Sequence, residues 1–421
     1  MSLAAISLAA LVLALVISCT SNVNIGFLAI VLAWIVGTYL GGIPLPQVIA
    51  GFPTSLFLTL VGITLLFTQA QVNGTLDRLA RPAIRLCRGN AGLVPMMFFV
   101  LTAVMSSIGP GNIAATALMA PLGMAAAGRY GISPFLMGIM IANGASAGSV
   151  SPIAPTGIIV NDIAADIGLP DRQWAIYVNN LIAHAVVAFS GYLLLGGWRL
   201  FSRAKRSTLA TDAGTQTNDL DAPDPPFTWG QQLTMAVIVA LMISVIFLKL
   251  NVGMVAFAGA VLLTFTGVVD EAAAVRQMPW KAIMMVCGVM TLVAILGQTG
   301  GLALFTDFLA RVATPASATA VTAFFTGFIS IYSSTTAVVL PAFLPMVPGL
   351  IERIGGGDPM ALVSSMVVGG HLVDLSPVST LGALCMAAAP PGTNLRVLFN
   401  QLLAWGMSMS VIGALVSWLV F

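Results

Sequence analysis

Apolar stretches of a length suited to membrane helices follow one another along nearly the whole chain. Eight of them are uninterrupted, and each is compatible with a helix that crosses a hydrocarbon layer of roughly 30 Å. These continuous stretches are residues 3–18, 24–42, 54–72, 173–198, 231–248, 251–268, 280–299 and 395–420. The pattern therefore predicts an all-α polytopic membrane protein.

Four further apolar stretches are interrupted near their centres. Residues 91–128 and 315–350 carry a polar tip, which leaves arms of about 15 residues, short of the roughly 20 needed to cross. We interpret both as re-entrant hairpins. Residues 133–166 and 359–389 contain Gly, Ser and Pro at mid-length, and such backbone cannot form a regular helix. They are predicted as spans with broken helices at the membrane midplane, which brings the prediction to ten spans and two hairpins.

The interrupted stretches of the two halves of the chain correspond to each other. The hairpin tips match at an offset of 227 residues and the broken spans at 225. The matching pairs are Ser106 and Ser333, Ser107 and Ser334, Gly144 and Gly369, Ser151 and Ser376, Pro152 and Pro377, and Gly157 and Gly382. Because each half has an odd number of crossings, five, plus one hairpin, the second half is inverted. The sequence therefore predicts two inverted repeats, residues 1–198 and 229–421, an arrangement typical of secondary transporters.

Charge is scarce and is confined to the connections. Only 7% of residues are charged, against about 25% in a soluble domain. With the predicted spans, 12 of the 16 Lys and Arg residues fall on one face, and the positive-inside bias makes that face cytoplasmic. Both termini are then expected outside a bacterial inner membrane. The basic residues form no single patch, so a nucleic-acid partner is not expected.

Two kinds of polar segment flank the spans. Residues 199–228 are rich in Asp and Pro and predict a flexible cytoplasmic linker between the halves. Residues 74–88 and 301–313 are amphipathic and predict helices that lie along the membrane surface.

The tips and the broken spans are the candidate site, because they should meet near the bilayer centre. Free N–H groups at half-helix N-termini suit an anion, and free carbonyls at C-termini suit a cation. Hydroxyl and amide side chains there can bind a carboxylate without adding charge. The candidate substrate-binding residues are Gly111, Asn112, Ser151, Pro152, Thr156, Ser334, Thr335, Thr336, Ser376, Pro377, Ser379 and Thr380.

A coupling cation, Na⁺ or H⁺, has its own candidate residues, and no other cofactor is expected. Asp374 and His371 stand out, because ionisable residues within a membrane are costly and mark function by default. The alternative interpretation is a mutually satisfied polar pair that fixes the loop. Neither Lys nor Arg falls in the predicted midplane, and His184 is interpreted as a structural donor. The candidate cation residues are Ser106, Ser107, Asn112, Asn143, Ser146, Ser149, Ser333, Ser334, His371 and Asp374.

The run Gly111 to Pro121, together with Asn143 to Asp162, resembles the ion transporter superfamily. Within it the chain is similar to the divalent anion/sodium symporters, and most of all to their malonate/dicarboxylate carrier (MatC-type) branch. The resemblance implies a homodimer that works by an elevator motion, with Na⁺ sites at the tips and broken spans. It implies a scaffold, residues 1–90 and 229–313, and a transport part, residues 91–198 and 314–421.

Two departures from the family pattern leave the coupling ion open. The Ser-Asn-Thr signature is replaced by Ser334-Thr335-Thr336 in the second half and keeps only Asn112 in the first. Asp374 adds an acid that the sodium-coupled pattern does not call for. Na⁺ and H⁺ both remain candidates.

The sequence favours a cation-coupled symporter of a small organic anion such as malonate or succinate. An alternative is the membrane component of a larger anion transport system that needs a binding protein or an ATPase. An enzyme is not expected, because no metal-binding His/Glu motif and no Ser–His pair with suitable spacing is present. A channel is disfavoured, because conduction does not require two hairpins that enter from opposite faces.

Overall fold

The computed structural model describes residues 2–20, 23–76, 78, 90–203 and 226–421. Within these ranges all regular secondary structure is helical. Most of the predicted linker and most of the amphipathic segment at 74–88 lie outside the described residues. The described start of the linker is a helical turn that ends at Arg203.

The helices of the first half follow the predicted spans closely. Helix α2 continues as a π-helical turn over Ile35–Leu40, so the second apolar stretch is helical almost throughout. The helices are α1 (Leu3–Thr20), α2 (Ile25–Trp34), α3 (Leu45–Ala50), α4 (Thr54–Val72), α5 (Leu93–Ser107), α6 (Gly111–Tyr130), α7 (Pro134–Ser149), α8 (Pro155–Asp166), α9 (Gln173–Leu194) and α10 (Leu200–Arg203).

The second half, from residue 226 onward, contains eleven described helices. Its helices are α11 (Trp229–Ile246), α12 (Val252–Phe265), α13 (Glu271–Gln277), α14 (Trp280–Thr299), α15 (Gly301–Val312), α16 (Ala318–Ser330), α17 (Leu340–Phe343), α18 (Val347–Ile354), α19 (Pro359–Leu372), α20 (Thr380–Ala387) and α21 (Leu395–Val420). A π-helical turn, Thr335–Val339, precedes α17, and a 3₁₀ turn joins α17 to α18. We call the whole continuous segment Thr335–Ile354 the Thr335 arm. Helix α15 lies where the sequence predicts an amphipathic helix.

Five described helical segments are long and apolar enough to cross a membrane by length and composition. They are Thr54–Val72, Gln173–Leu194, Trp280–Thr299, Thr335–Ile354 and Leu395–Val420. Seven shorter apolar helices of 10–17 residues accompany them. The prediction of a helical, multi-pass membrane protein is confirmed.

The arms of the two tips are unequal in length, which differs from the prediction of about 15 residues each. Helices α5 and α16 have 15 and 13 residues, whereas α6 and the Thr335 arm have 20 each. The longer arms gain length at both ends, because each begins inside its predicted tip, at Gly111 or Thr335, and continues past the end of the apolar stretch. In α6 this extension ends at Gly131, which has the left-handed φ of 62° that stops many helices.

Both predicted helix breaks are present. Helix α7 ends at Ser149 and α8 begins at Pro155, while α19 ends at Leu372 and α20 begins at Thr380. Each break folds back tightly on the helix that follows it. A Cβ on Gly157 would lie 2.0 Å from the carbonyl oxygen of Ser151, and a Cβ on Gly382 would lie 2.1 Å from that of Ser376.

Helices from the two halves cross at glycines. Helix α2 packs on α14 and α4 packs on α12. A Cβ on Gly26 would lie 2.0 Å from the carbonyl oxygen of Met284, and a Cβ on Gly62 would lie 2.4 Å from that of Gly253. Such contacts let backbones approach directly, as is common in membrane helix packing. These four helices form a frame that combines both halves.

A second group consists of α5–α9 in the first half and α16–α21 in the second. Helix α5 packs on α7 and α7 on α9, and in the same way α16 packs on α19 and α19 on α21. Corresponding glycines make both contacts possible. A Cβ on Gly144 would lie 2.4 Å from the carbonyl oxygen of Phe99, and a Cβ on Gly369 would lie 2.4 Å from that of Ala323.

Candidate functional site

Two adjoining cavities lie between the frame and the second group of helices. Their volumes are about 260 Å³ and about 390 Å³. Seven residues line both cavities, so we treat the two as one cleft with two lobes. The shared residues are Asn112, Ile113, Pro279, Ala282, Ser334, Thr336 and Ala337.

Helical segments from both halves point their N-terminal ends at this cleft. Gly111 begins α6 and Pro155 begins α8, and both line the smaller lobe. Thr335 begins its arm and Thr380 begins α20, and both line the larger lobe. The first N–H groups of a helix have no partner within it, and the N-terminus carries a partial positive charge. The cleft therefore offers several sites for negatively charged oxygen.

A side-chain hydrogen bond joins the two halves at the cleft. The hydroxyl groups of Thr156 and Thr336 lie 3.0 Å apart. The Thr336 hydroxyl also lies 3.4 Å from Nε2 of His371, whose Nδ1 lies 2.8 Å from the carbonyl oxygen of Val367. Because a carbonyl can only accept, Nδ1 carries the proton, and Nε2 of the neutral ring accepts from Thr336. His371 thus lies behind the cleft wall and orients a hydroxyl that faces the cleft.

Asp374 lies in a cluster of oxygen atoms beside the larger lobe. The Thr335 hydroxyl donates to Oδ1 of Asp374 at 2.6 Å, and it lies 3.0 Å from the carbonyl oxygen of Gly370. Ser330 hydrogen-bonds to the same Thr335 hydroxyl. Asp374, Thr335 and Ser330 are 6%, 2% and 0% exposed. An acid and several neutral oxygens in so dry a place match the preferences of a hard cation or a proton.

A second buried polar cluster, in the first half of the chain, is built from amides and a histidine. Nδ1 of His184 lies 3.0 Å from Oδ1 of Asn143, and Asn180 donates to the carbonyl oxygen of Ser146 at 2.7 Å. Within the described part of the chain, four buried atoms here lack a hydrogen-bond partner: Ser106 Oγ, Ser146 Oγ, Asn180 Oδ1 and His184 Nε2. His184 bonds a side chain, consistent with the structural role predicted for it.

The structure gathers some of the predicted site residues at the cleft and leaves others behind it. Those lining the cleft are Gly111, Asn112, Thr156, Ser333, Ser334, Thr335, Thr336, Asp374, Ser379 and Thr380. Those outside its lining are Ser106, Ser107, Asn143, Ser146, Ser149, Ser151, Pro152, His371, Ser376 and Pro377. Several of the latter bond their own surroundings, as Ser107 does with the carbonyl oxygen of Ala103 at 2.7 Å and with Tyr177 at 2.9 Å.

The frame supplies a wall that the sequence does not predict. Thr64, Thr68 and Gln71 on α4 and Gln277 at the end of α13 line the smaller lobe. Lys281, in the first turn of α14, lines the larger lobe. Lys281 is exposed and belongs to the first turn of its helix, so it adds a positive charge to the cleft lining without lying at the predicted midplane. Beyond its first turn α14 is uniformly apolar, so the sequence pattern does not show which side of this helix faces the cleft.

Comparison with known proteins gives a family match for the N-terminal part of the chain. Residues 1–149 match the family described as "Dicarboxylate carrier protein MatC N-terminus". The resemblance seen in the sequence is thus confirmed for this part. No curated protein matches the chain in sequence.

Two solved structures share the fold. The Alcanivorax borkumensis YdaH transporter is 15% identical, with a TM-score of 0.54 over 89% of this chain and 87% of its own. Neisseria gonorrhoeae MtrF, described as illuminating a class of antimetabolite efflux pumps, is 13% identical, with a TM-score of 0.56 over 90% of this chain and 83% of its own. The matched family and both structures are transporters rather than enzymes, as predicted for this chain. Through residues 1–149 the chain matches the MatC dicarboxylate carriers, and it is a multi-pass membrane protein that shares its fold with known transporters.

Proposed function

We propose that this protein is a secondary active transporter that couples uptake of a small organic anion, a dicarboxylate such as malonate or succinate, to a cation. One observation carries the proposal: helix N-termini and uncharged polar side chains from both halves meet at a single cleft. N–H groups and hydroxyls hold a carboxylate without a permanent charge of their own, which favours reversible binding. The match to dicarboxylate carriers supports the same substrate class.

The oxygen cluster of Asp374, Thr335, Ser330 and the Gly370 carbonyl is proposed as the site of the coupling ion, Na⁺ or H⁺. It lies against the larger lobe, so a cation there would be felt by an anion in the cleft. At low effective dielectric, two opposite charges a few ångströms apart attract strongly. Occupation of one site would then favour occupation of the other, which is the requirement for symport.

The two halves are proposed to be inverted repeats, each with one re-entrant hairpin. The paired glycine contacts support this, because Gly26 and Gly62 in the first half correspond to Gly253 and Gly288 in the second. The paired breaks at Ser151 and Ser376 support it as well. The hairpin assignment is supported by the packing of α5 and α6 on each other and on α7.

An elevator motion is proposed, in which the second group of helices slides against the frame. The cleft lies on the boundary between the two, where α4 meets α8 and α14 meets the Thr335 arm. Movement along this boundary would carry the tips, and an anion bound to them, past the frame. As part of the proposal the frame forms a homodimer in the inner membrane, with both termini outside.

Reconstitution of the purified chain into liposomes tests the proposal. Uptake of radiolabelled malonate, succinate, acetate, sulfate and an aryl sulfonate would be measured with Na⁺ and pH gradients imposed separately. We expect one of the two gradients to drive uptake of a dicarboxylate. Collapse of that gradient should abolish the uptake. Absence of uptake with the chain alone, and its recovery with a co-purifying subunit, would instead favour a multi-subunit system.

The hydrogen bond between Thr156 and Thr336 gives a more local prediction. Replacement of either by valine preserves shape and removes one hydroxyl, so we expect KM for the anion to rise about three- to tenfold, since a hydrogen bond is worth about 0.5–1.5 kcal/mol. In the double variant the loss of binding free energy, calculated from KM, should be smaller than the sum of the losses in the single variants, because the two hydroxyl groups share one hydrogen bond.

Thr322→Val provides the matched control. The Thr322 hydroxyl is buried and bonds the carbonyl oxygens of Ala318 and Thr319 in its own helix, away from the cleft. KM should stay near the wild-type value in this variant. Equal effects at all three threonines would contradict a role for the Thr156–Thr336 bond.

A further inference from the structure

The cleft carries an electrical asymmetry that the repeat correspondence reveals. Among the described residues that line the two lobes, the charged ones are Asp374 and Lys281. Asp374 is 6% exposed and hydrogen-bonded to Thr335, whereas Lys281 is exposed. Within the described part of the chain, Lys281 has no carboxylate at ion-pair distance. Its ammonium group is therefore available to an anion.

Lys281 belongs to the frame and lies at one end of the cleft. It occupies the first turn of α14, after Pro279. The Asn24 side chain donates to its carbonyl oxygen at 3.3 Å, which ties this turn to the start of α2. The tips belong to the other group of helices, so a motion of that group changes their distance from Lys281.

The corresponding position in the first half is a neutral serine. Pro53 precedes α4 as Pro279 precedes α14, and Ser55 corresponds to Lys281 as Gly62 does to Gly288, each pair 226 residues apart. Gln71, at the far end of α4, lines the same lobe as Pro279. Because 16 residues of α helix separate Ser55 from Gln71, Ser55 lies about 24 Å from the cleft end where Lys281 lies.

We propose that Lys281 is an anion-attracting residue at one end of the transport path, and that the lysine–serine difference makes the two faces of the transporter unequal in substrate affinity. Lys281 contacts a carboxylate of the dianion while the tips are near it and loses that contact when they move away. Ser55 carries no such charge and does not line the cleft. The inference rests on the proposed anion transport and adds to it a sidedness and a preference for dianions.

Oriented vesicles test the inference. Right-side-out and inside-out membrane vesicles would be compared for uptake of labelled malonate and of the monoanion acetate. In Lys281→Ser we expect KM for malonate to rise about three- to tenfold from the Lys281 face, the scale of one partly solvated ion pair, with a smaller effect on the monoanion. From the opposite face KM should change less than twofold.

Ser55→Lys is the reciprocal variant, and Lys249→Ser is the matched control. Ser55→Lys should lower KM for malonate from the Ser55 face. Lys249 is an exposed lysine in the connection between α11 and α12, so its removal should leave KM unchanged on both faces. Lys281→Arg, which keeps the charge, should restore most of the affinity, and the wild-type preference should weaken in high salt.

The outcomes separate the two proposals. If Lys281→Ser transports malonate with the wild-type KM from both faces, the role of Lys281 is overturned and the proposed function stands. Equal loss from both faces overturns the sidedness and makes Lys281 a structural residue. Absence of uptake or binding of any tested anion by the wild-type protein overturns the proposed function, and the inference with it.

Discussion

Asp374→Asn is expected to abolish gradient-driven uptake, by at least about 100-fold, while the protein still folds. Asparagine fills the same volume and can still bond Thr335, so the break between α19 and α20 should survive. It cannot carry the negative charge that holds a cation or accept a proton, and the coupling step would be lost. Uptake into liposomes would be measured with the Na⁺ or the pH gradient imposed. Thermal unfolding in detergent would show whether the variant is folded.

Two companion variants make this prediction specific. Asp166→Asn changes an exposed carboxylate at the end of α8 and should leave uptake near the wild-type rate. Thr335→Val removes the hydroxyl that donates to Asp374 and should impair coupling without removing the charge. Gradient-driven uptake that persists unchanged in Asp374→Asn would refute a coupling role and favour a polar contact that only fixes the loop.

The second large effect is expected at the glycines beside the breaks. Gly157→Ala and Gly382→Ala each place a methyl about 2 Å from a carbonyl oxygen, 2.0 Å at Ser151 and 2.1 Å at Ser376. These neighbours are backbone and cannot rotate away, so the start of α8 or α20 must shift. We expect a loss of about 1–3 kcal/mol in stability, as for other overpacked sites, together with loss of anion binding. Thermal unfolding and calorimetric binding of malonate would measure both.

Gly297→Ala is the control for the same chemical change. Gly297 lies in the last turn of α14 and nothing lies within 4 Å of an added Cβ. Alanine is favoured over glycine in a helix by up to about 1 kcal/mol, so this variant should be as stable as the wild type or slightly more so. If all three alanine variants behaved alike, tight packing at the breaks could not be the cause.

Local chemistry in the sequence predicts the breaks and one wall of the cleft. Pro152 and Pro155 remove N–H groups and restrict φ, so a helix interruption is expected wherever such residues meet glycine and serine in an apolar stretch. The glycines around Pro110 mark a tip in the same way, and Gly109 and Gly111 have φ values of 135° and 80°. Asn112, Ser334 and Thr336 are indeed brought together at the cleft.

The opposite wall depends on which face each frame helix turns toward the tips. Helices α4 and α14 carry apolar residues on all sides, because one side meets lipid and the other meets protein, so periodicity does not reveal the inner face. Gln71 and Lys281 therefore go unnoticed in the sequence. Ser330 is missed for a related reason, since its role depends on the Thr335 arm folding back beside it.

The glycine crossings of the frame have a consequence for how the protein is made. Helices α2 and α4 are synthesised and inserted long before their partners α14 and α12, more than 180 residues later in the chain. Until then the grooves beside Gly26 and Gly62 lack the helices that fill them in the folded protein. The first half cannot complete its own packing, so assembly must wait for the second half to enter the bilayer. A chain terminated in the linker would present these open grooves to the quality-control machinery of the membrane.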